Sequence, residues 1–176
     1  MKNTAQSYAA ALYEIAREEN EEKNILGDLS LVSSVFKAEE EYIKLLNSYA
    51  VAKAEKDKLA DEAFGGGISG YALNFIKLLA SKNILNLFFE CEKEYARLYR
   101  KAHNIERASV ISVVELSDSQ KKKLVEKLEK MTGKTVEASF LCDKSVLGGI
   151  IVRFENSQID LSVKSRLEDM KKHIFL

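Results

Sequence analysis

The residues best suited to chemistry in this sequence are few and scattered. The only histidines are His103 and His173, and the only cysteines are Cys91 and Cys142. A metal site needs three or four converging ligands, and two lone histidines near the ends of elements supply too few. Neither cysteine has a second cysteine beside it or a histidine in a known nucleophilic arrangement, so two half-buried free thiols are expected. Asp143 and Asp160 stand out because each lies at a strand end beside a hydroxyl residue, as Asp143-x-Ser145 and Asp160-x-Ser162. Acid catalysis is one use of such a pair; the other is turn and cap hydrogen bonding, which Asp and Ser perform routinely. Gly65-Gly66-Gly67 lacks the following Gly-Lys-Ser/Thr and the preceding strand of a phosphate loop, so it reads as a helix stop. Lys121-Lys122-Lys123 precedes Glu126 and Glu129 and reads as a solvated helix face. No catalytic residue, cofactor or metal is expected.

The elements that would carry these residues change character once along the chain. Over the first hundred residues the apolar positions recur at helical spacing. Tyr8, Leu12, Ile15 and Ala16 form a first stripe, and Ala9, Ala10 and Ala11 beside it let another helix approach closely. Ile25, Leu29, Val32, Val35 and Phe36 form a second, with Asn20 or Asn24 as its N-cap. Tyr42, Leu45 and Leu46 mark a short third helix, and a mostly charged fourth runs from Val51 to Phe64. Ser69 caps a fifth, apolar on two sides through Leu73, Ile76, Ala80 and through Phe75, Leu78, Leu79. Asn83 opens a sixth that carries Leu85, Phe88, Phe89, Tyr95, Leu98 and Tyr99. Near Asn104 the period becomes two. Residues 108–114 alternate as a strand, Ser117-x-x-Gln120 is a capping box, and Leu124, Val125, Leu128 and Met131 continue as a helix stopped by Gly133. Residues 136–142 and 150–154 alternate again, 158–161 return through a hairpin at 155–157, and Ser162 caps a last helix. The expected fold is mainly α: a six-helix bundle over 1–105, then a small α+β domain over 106–176.

Composition excludes several functions. The sequence has 176 residues, 27 basic and 27 acidic, and no proline or tryptophan. Residues 1–105 hold 14 basic and 16 acidic side chains against 13 and 11 in 106–176. Phosphate-backbone binding needs a marked basic field, so no nucleic-acid partner is expected. No apolar run approaches the roughly 20 residues of a membrane-spanning helix, and the N-terminal residues lack the apolar core of a secretory signal. A last helix carrying Lys164, Arg166, Lys171 and Lys172 is diluted by Glu168 and Asp169 as a membrane-surface element.

Three segments together resemble a known family. Ser7 to Ala16 is similar to the opening "YAxALYxxA" of the delta subunit of F-type ATP synthases, and Phe75 to Asn83 to its "FLxLLxxKNR" helix. The segment from Asp143 through Gly148-Gly149 to Val152, then Ile159 to Leu167, is similar to "DPSLIGGxxV…IDxSVxxRL". Order and spacing agree from residue 5 to about 170. Lys144, Ile84, Glu155 and Leu161 depart from that pattern at turn and surface positions.

The resemblance implies a non-catalytic stator subunit, a monomer within its complex. Its bundle would hold the N-terminal helix of an alpha subunit, and its C-terminal domain would meet the C-terminal end of the b subunits. It would lie peripherally on the cytoplasmic face of the bacterial cell membrane, without insertion. In the family the helix groove is made by the first and fifth helices. The matching positions are Tyr8, Ala11, Leu12, Ile15, Phe75, Leu78 and Leu79, each open to a core role as well as a groove role, since a helical stripe looks alike in both. On this reading Leu12→Asp would abolish binding in a folded protein. Gly148 and Gly149 are expected to allow close packing or a bulge, and Asp143, Asp160 and Ser162 to fix turns and the last helix start. The alternative is a generic helical adaptor unrelated to ATP synthase.

Overall fold

The structure is a computed structural model and describes residues 2–143, 148–155, 157–161 and 163. Its contacts divide the chain into two compact units, Met1–Arg100 and Lys101–Leu176. The first contains α1 (Lys2–Glu18), α2 (Glu22–Ala38), α3 (Glu40–Leu46), α4 (Lys53–Phe64), α5 (Gly70–Ser81) and most of α6 (Phe88–Ala102). The second contains β1 (Ile105–Ser112), α7 (Asp118–Thr132), β2 (Thr135–Cys142), β3 (Ile150–Phe154) and β4 (Gln158–Asp160). Six helices followed by a four-stranded mixed sheet with one helix agree with the fold class expected from periodicity.

The helix ends depart from expectation in an instructive way. Asn20, Asn83 and Asn104 all adopt positive φ, at 57°, 55° and 52°. Each lies two residues beyond a helix, where a left-handed residue closes the C-terminus and Asn is the best non-glycine choice. After α1, Asn20 N–H donates to Arg17 O and Glu21 N–H to Ala16 O at 2.8 Å. After α5, Asn83 N–H donates to Ala80 O and Ile84 N–H to Leu79 O at 3.0 Å. These paired bonds satisfy carbonyls that the helix leaves unpartnered. Asn20 therefore stops α1 and does not start α2, whose N-cap is Glu21 with no side-chain cap bond. Asn24 lies inside α2 and donates its amide N–H to Glu21 Oε2. Asn83 likewise ends α5; a turn of 3-10 helix, Leu85–Leu87, leads into α6. Ser69 does cap α5, its hydroxyl accepting Ala72 N–H at 3.3 Å.

The bundle core is set by the second stripe. Ile25, Leu29, Val32 and Phe36 are fully buried along one side of α2. The Phe36 ring meets Phe88 at 5.1 Å and Phe64 at 5.7 Å between centroids, both edge-to-face, the geometry that aromatic quadrupoles favour. Tyr95 is also fully buried; it stacks edge-on against Tyr13 at 5.4 Å, and its hydroxyl donates to Glu22 O at 3.1 Å.

The thiols are not half-buried. Cys91 is sealed in the core, its Sγ 3.6 Å from Ala5 O, whereas Cys142 is exposed. Burial, with Glu90 nearby, pushes the Cys91 thiol from its ordinary 9.0 up to about 11. Between those values the unfolded chain has lost the proton and the folded chain keeps it, so stability is intact below pH 9 and falls as pH rises toward 11. At roughly 1.4 kcal/mol per pKa unit the loss is on the order of 3 kcal/mol. Urea unfolding of Cys91→Ala at pH 8 and at pH 10.5 is expected to show a smaller loss between the two pH values than the unmodified chain; an equal loss would contradict the assignment.

In the second unit the strand order is β2-β1-β3-β4. β1 and β2 run parallel, connected through α7, while β3 pairs antiparallel with both β1 and β4. Ala108 and Val110 of β1, Val136 of β2 and Val152 of β3 are buried with Leu128 of α7. α7 begins with the expected capping box, Ser117 N–H donating to Gln120 Oε1 at 2.9 Å, and ends at Gly133 with φ 68°. β1 starts at Ile105 rather than 108 because Asn104 turns the chain and its carbonyl already accepts Thr135 N–H at 3.1 Å. β1 ends at Ser112, whose hydroxyl turns to donate to Val114 O at 2.7 Å. The last helix, expected from Ser162, lies outside the described residues.

Candidate helix-binding cleft

Two helices of the first unit leave apolar surface uncovered side by side. α1 contributes Tyr8, Ala11, Leu12 and Ile15, and α5 contributes Tyr71, Asn74, Phe75 and Leu78, to an open cleft of about 290 Å³. Leu12 and Phe75 form its floor, at 5% and 6% exposure. Ile15, Tyr71 and Leu78 form its rim, each at 40% or slightly more. Six of the seven positions expected to line a groove are thus brought together. Leu79 is not among them. It is fully buried with Ile76 and Ala80 on the inner side of α5, one helical step of about 100° from Leu78. Tyr71 and Asn74 line the cleft but were not singled out from sequence; the signal was there in the spacing of Tyr71, Asn74, Phe75 and Leu78 at i, i+3, i+4 and i+7.

α5 is fixed at both poles by charged side chains from other helices. At its N-terminus Asp28 of α2 accepts the Ser69 N–H at 2.8 Å. At its C-terminus Lys56 of α4, only 3% exposed, donates to Ala80 O at 3.1 Å and to Asn83 Oδ1 at 2.5 Å. An anion at the start and a cation at the end are the signs the helix dipole favours. Lys77 adds an ion pair to Asp61 of α4 at 2.6 Å. Sequence reasoning placed Lys56 on a charged helix and missed its burial. Lys56→Met keeps the apolar stem and removes two charge-assisted bonds, each worth about 1.5–3 kcal/mol. It is expected to lower stability by roughly 2–4 kcal/mol in urea unfolding, against less than about 0.5 kcal/mol for the exposed Lys58→Met.

The cleft has no chemistry of bond making. Its polar groups are one amide and two phenols, and no acid–base pair faces it. The Glu19 carboxylate near Tyr71, with partial burial, raises the Tyr71 phenol above its ordinary 10.0. Among the described residues no group of three His, Cys, Asp or Glu is placed to hold a metal. No helix among the described residues is long and apolar enough to cross a membrane. A second concavity, about 410 Å³ among Phe36, Lys37, Glu40, Ile43, Lys44, Asn86 and Phe89, is broken by charges, with the Lys37 ammonium 5.8 Å from the centre of the Phe89 ring. What the α1–α5 cleft can do is accept an apolar face of helical spacing.

Asp143, Gly148, Gly149, Asp160 and Val163 of the tail motif lie together at one end of the sheet. Asp143 N–H donates to Ser112 O at 2.9 Å and so closes the β1–β2 ladder. Gly149 has φ 87°, and a Cβ on Gly148 would stand 3.0 Å from Val163 Cγ2. Val163 N–H donates to Gly148 O at 3.0 Å, so the chain after β4 lies against the glycine pair. Asp160 is in register with Ile151 at the end of β4. Ser162 lies outside the described residues, as do residues 144–147 of the motif.

A model of the family described as ATP synthase delta (OSCP) subunit matches residues 4–174. The chain is 33% identical over 171 residues to the ATP synthase subunit delta of Clostridioides difficile, covering 97% of this chain and 94% of that one. It is 34% identical over 170 residues to the corresponding protein of Desulforamulus reducens, with the same coverage. Among solved structures, a chain of the cryo-EM structure of the Toxoplasma gondii mitochondrial ATP synthase hexamer shares the fold with a TM-score of 0.70 at 19% identity, over 98% of this chain and 97% of that one.

Proposed function

The chain belongs to the ATP synthase delta (OSCP) subunit family, and on that premise we propose that its α1–α5 cleft holds the N-terminal helix of an alpha subunit while its second unit meets the C-terminal end of the b subunits. The protein is a peripheral-stalk component of F-type ATP synthase and is non-catalytic. The reading as an adaptor unrelated to ATP synthase is thereby set aside. The membrane association belongs to the complex, and the place of this chain on it is peripheral, at the cytoplasmic face of the bacterial cell membrane. One alpha helix and one b-subunit end per chain make it a monomer within the complex.

The observation that carries the alpha-helix assignment is the exposed apolar stripe on two adjacent helices, with Ile15, Tyr71 and Leu78 open on the rim over the buried floor of Leu12 and Phe75. An amphipathic helix fits it by laying its own apolar anchors between those of α1 and α5. A stator linkage must hold the head still against the turning rotor. α5, tied at both ends by Asp28 and Lys56, makes a wall whose shape is set before binding, so less ordering cost is met when the helix docks.

The test is calorimetric titration of the full chain with a synthetic peptide of about 20 residues, about five and a half helical turns, from the N-terminus of the same organism's alpha subunit. Saturable one-to-one binding is expected. Absence of heat and of any spectral change with a folded chain would overturn the assignment of the cleft.

A further inference from the structure

We propose that the cleft is polarised, so that it accepts an amphipathic helix with its basic end over Glu19 and its acidic end over Lys82. This rests on the reading of the cleft as a helix-binding groove and adds an orientation to it. Tyr8, Leu12, Ile15 and Glu19 follow one another at i, i+4, i+7 and i+11. Glu19 keeps the helical path of α1, its N–H donating to Ile15 O at 3.2 Å. Tyr71, Phe75, Leu78 and Lys82 repeat the same spacing on α5. Lys82 keeps that path too, its N–H donating to Leu78 O at 3.2 Å. Each apolar stripe thus ends in one charge, exposed in both cases, acidic on α1 and basic on α5.

The two charges lie at opposite ends. A tight turn at Asn20–Glu21 folds α2 back along α1, and Asp28, the seventh residue of α2, accepts Ser69 N–H at the start of α5, so α5 begins beside the end of α1 and the two run antiparallel. At 1.5 Å per residue the stripe from Tyr8 to Glu19 is about 16 Å long. Glu21, in the turn that follows α1, adds a second negative charge at the same end. Arg17 of α1 lies about 200° around the helix from Glu19, four residues from Tyr13 and so on that residue's face. The dipoles of two antiparallel helices cancel at each end, about half a charge of either sign, which leaves the side chains to decide. The occupant's own dipole is also about half a charge per end, less than one full side-chain charge. Charged side chains on the occupant therefore set its direction, and its apolar anchors set the depth at which it docks.

The probe is a synthetic 18-residue amphipathic helix with Leu anchors, three lysines at one end, three glutamates at the other and a nitroxide at the lysine end. Amide broadening in the full chain is expected around Tyr71 and Asn74, and not around Tyr8 and Leu78. In the double variant Glu19→Lys/Lys82→Glu the broadening is expected to move to the Tyr8 end. Glu19→Gln alone is expected to weaken binding about threefold at low salt, a difference that disappears at high salt, as fits an exposed charge pair. The same broadening pattern in both proteins, or equal broadening at both ends, overturns the polarity. If the alpha-subunit peptide binds and this probe does not, the polarity alone falls; if neither binds, the helix-groove reading falls and takes the polarity with it.

Discussion

Replacing Ile15 and Leu78 together by aspartate is expected to abolish helix binding while leaving the bundle folded. Both side chains stand on the rim, at 43% and 40% exposure, so a carboxylate at either place remains hydrated in the free protein. When a helix docks, each carboxylate must lose that water against apolar anchors, and burying an unpaired charge is among the costliest events available. The lost apolar contact adds about 1.5–3 kcal/mol per side chain. Together these predict a weakening of more than about a thousandfold, read by the same calorimetric titration, with unchanged circular dichroism and thermal midpoint as the control. Unaltered affinity in the folded double variant would remove the cleft from the binding site. Leu12→Asp, the substitution suggested by sequence alone, is a poorer test. Leu12 is only 5% exposed and belongs to the core cluster as well as to the cleft floor, so its loss of binding would be confounded with unfolding.

Phe36→Ala is expected to be the most damaging single truncation in the first unit. The ring is fully buried and makes edge contacts with Phe64 and Phe88 and a tilted one with Tyr42, so four elements meet on it: α2, α3, α4 and α6. Deleting it leaves a cavity among rings that cannot collapse without losing their own geometry. A loss of about 3–5 kcal/mol is expected, a large fraction of the total stability of a small domain. Urea unfolding followed by far-ultraviolet circular dichroism measures it. A loss below about 1 kcal/mol would mean that this aromatic cluster is not the centre of the core.

The helices were legible because each buries a stripe of the right period, and the sheet because its core side alternates as Ala108, Val110 and then Val136, Ala138, Phe140. The capping box at Ser117 and the glycine stop at Gly133 were legible because their bonds are local, reaching three or four residues. Asn20, one of two candidate caps for α2, and Asn83, expected to open the sixth helix, each close the helix before them. Asn before a helix and Asn after one look alike in a sequence; a helix that ends in αL shows itself only through φ, and with no proline and eight glycines this chain uses Asn for that task. The burial of Lys56 has no local signal, because its hydrogen-bond partners lie outside its own helix. Its partners, Ala80 and Asn83, lie 24 and 27 residues away.

The family, the order of helices and strands, and the two stripes that could line a groove all follow from residue types and their spacing, since these report on short-range geometry. Which side of each stripe faces outward does not. Leu78 and Leu79 are chemically identical neighbours on α5, yet one is 40% exposed on the cleft rim and the other is fully buried. The difference arises because the inner face of α5 is taken by α2 and α4, whose side chains fix α5's rotation through Asp28, Asp61 and Lys56. A helical period states only that two faces differ; long-range packing chooses which of them is left for a partner.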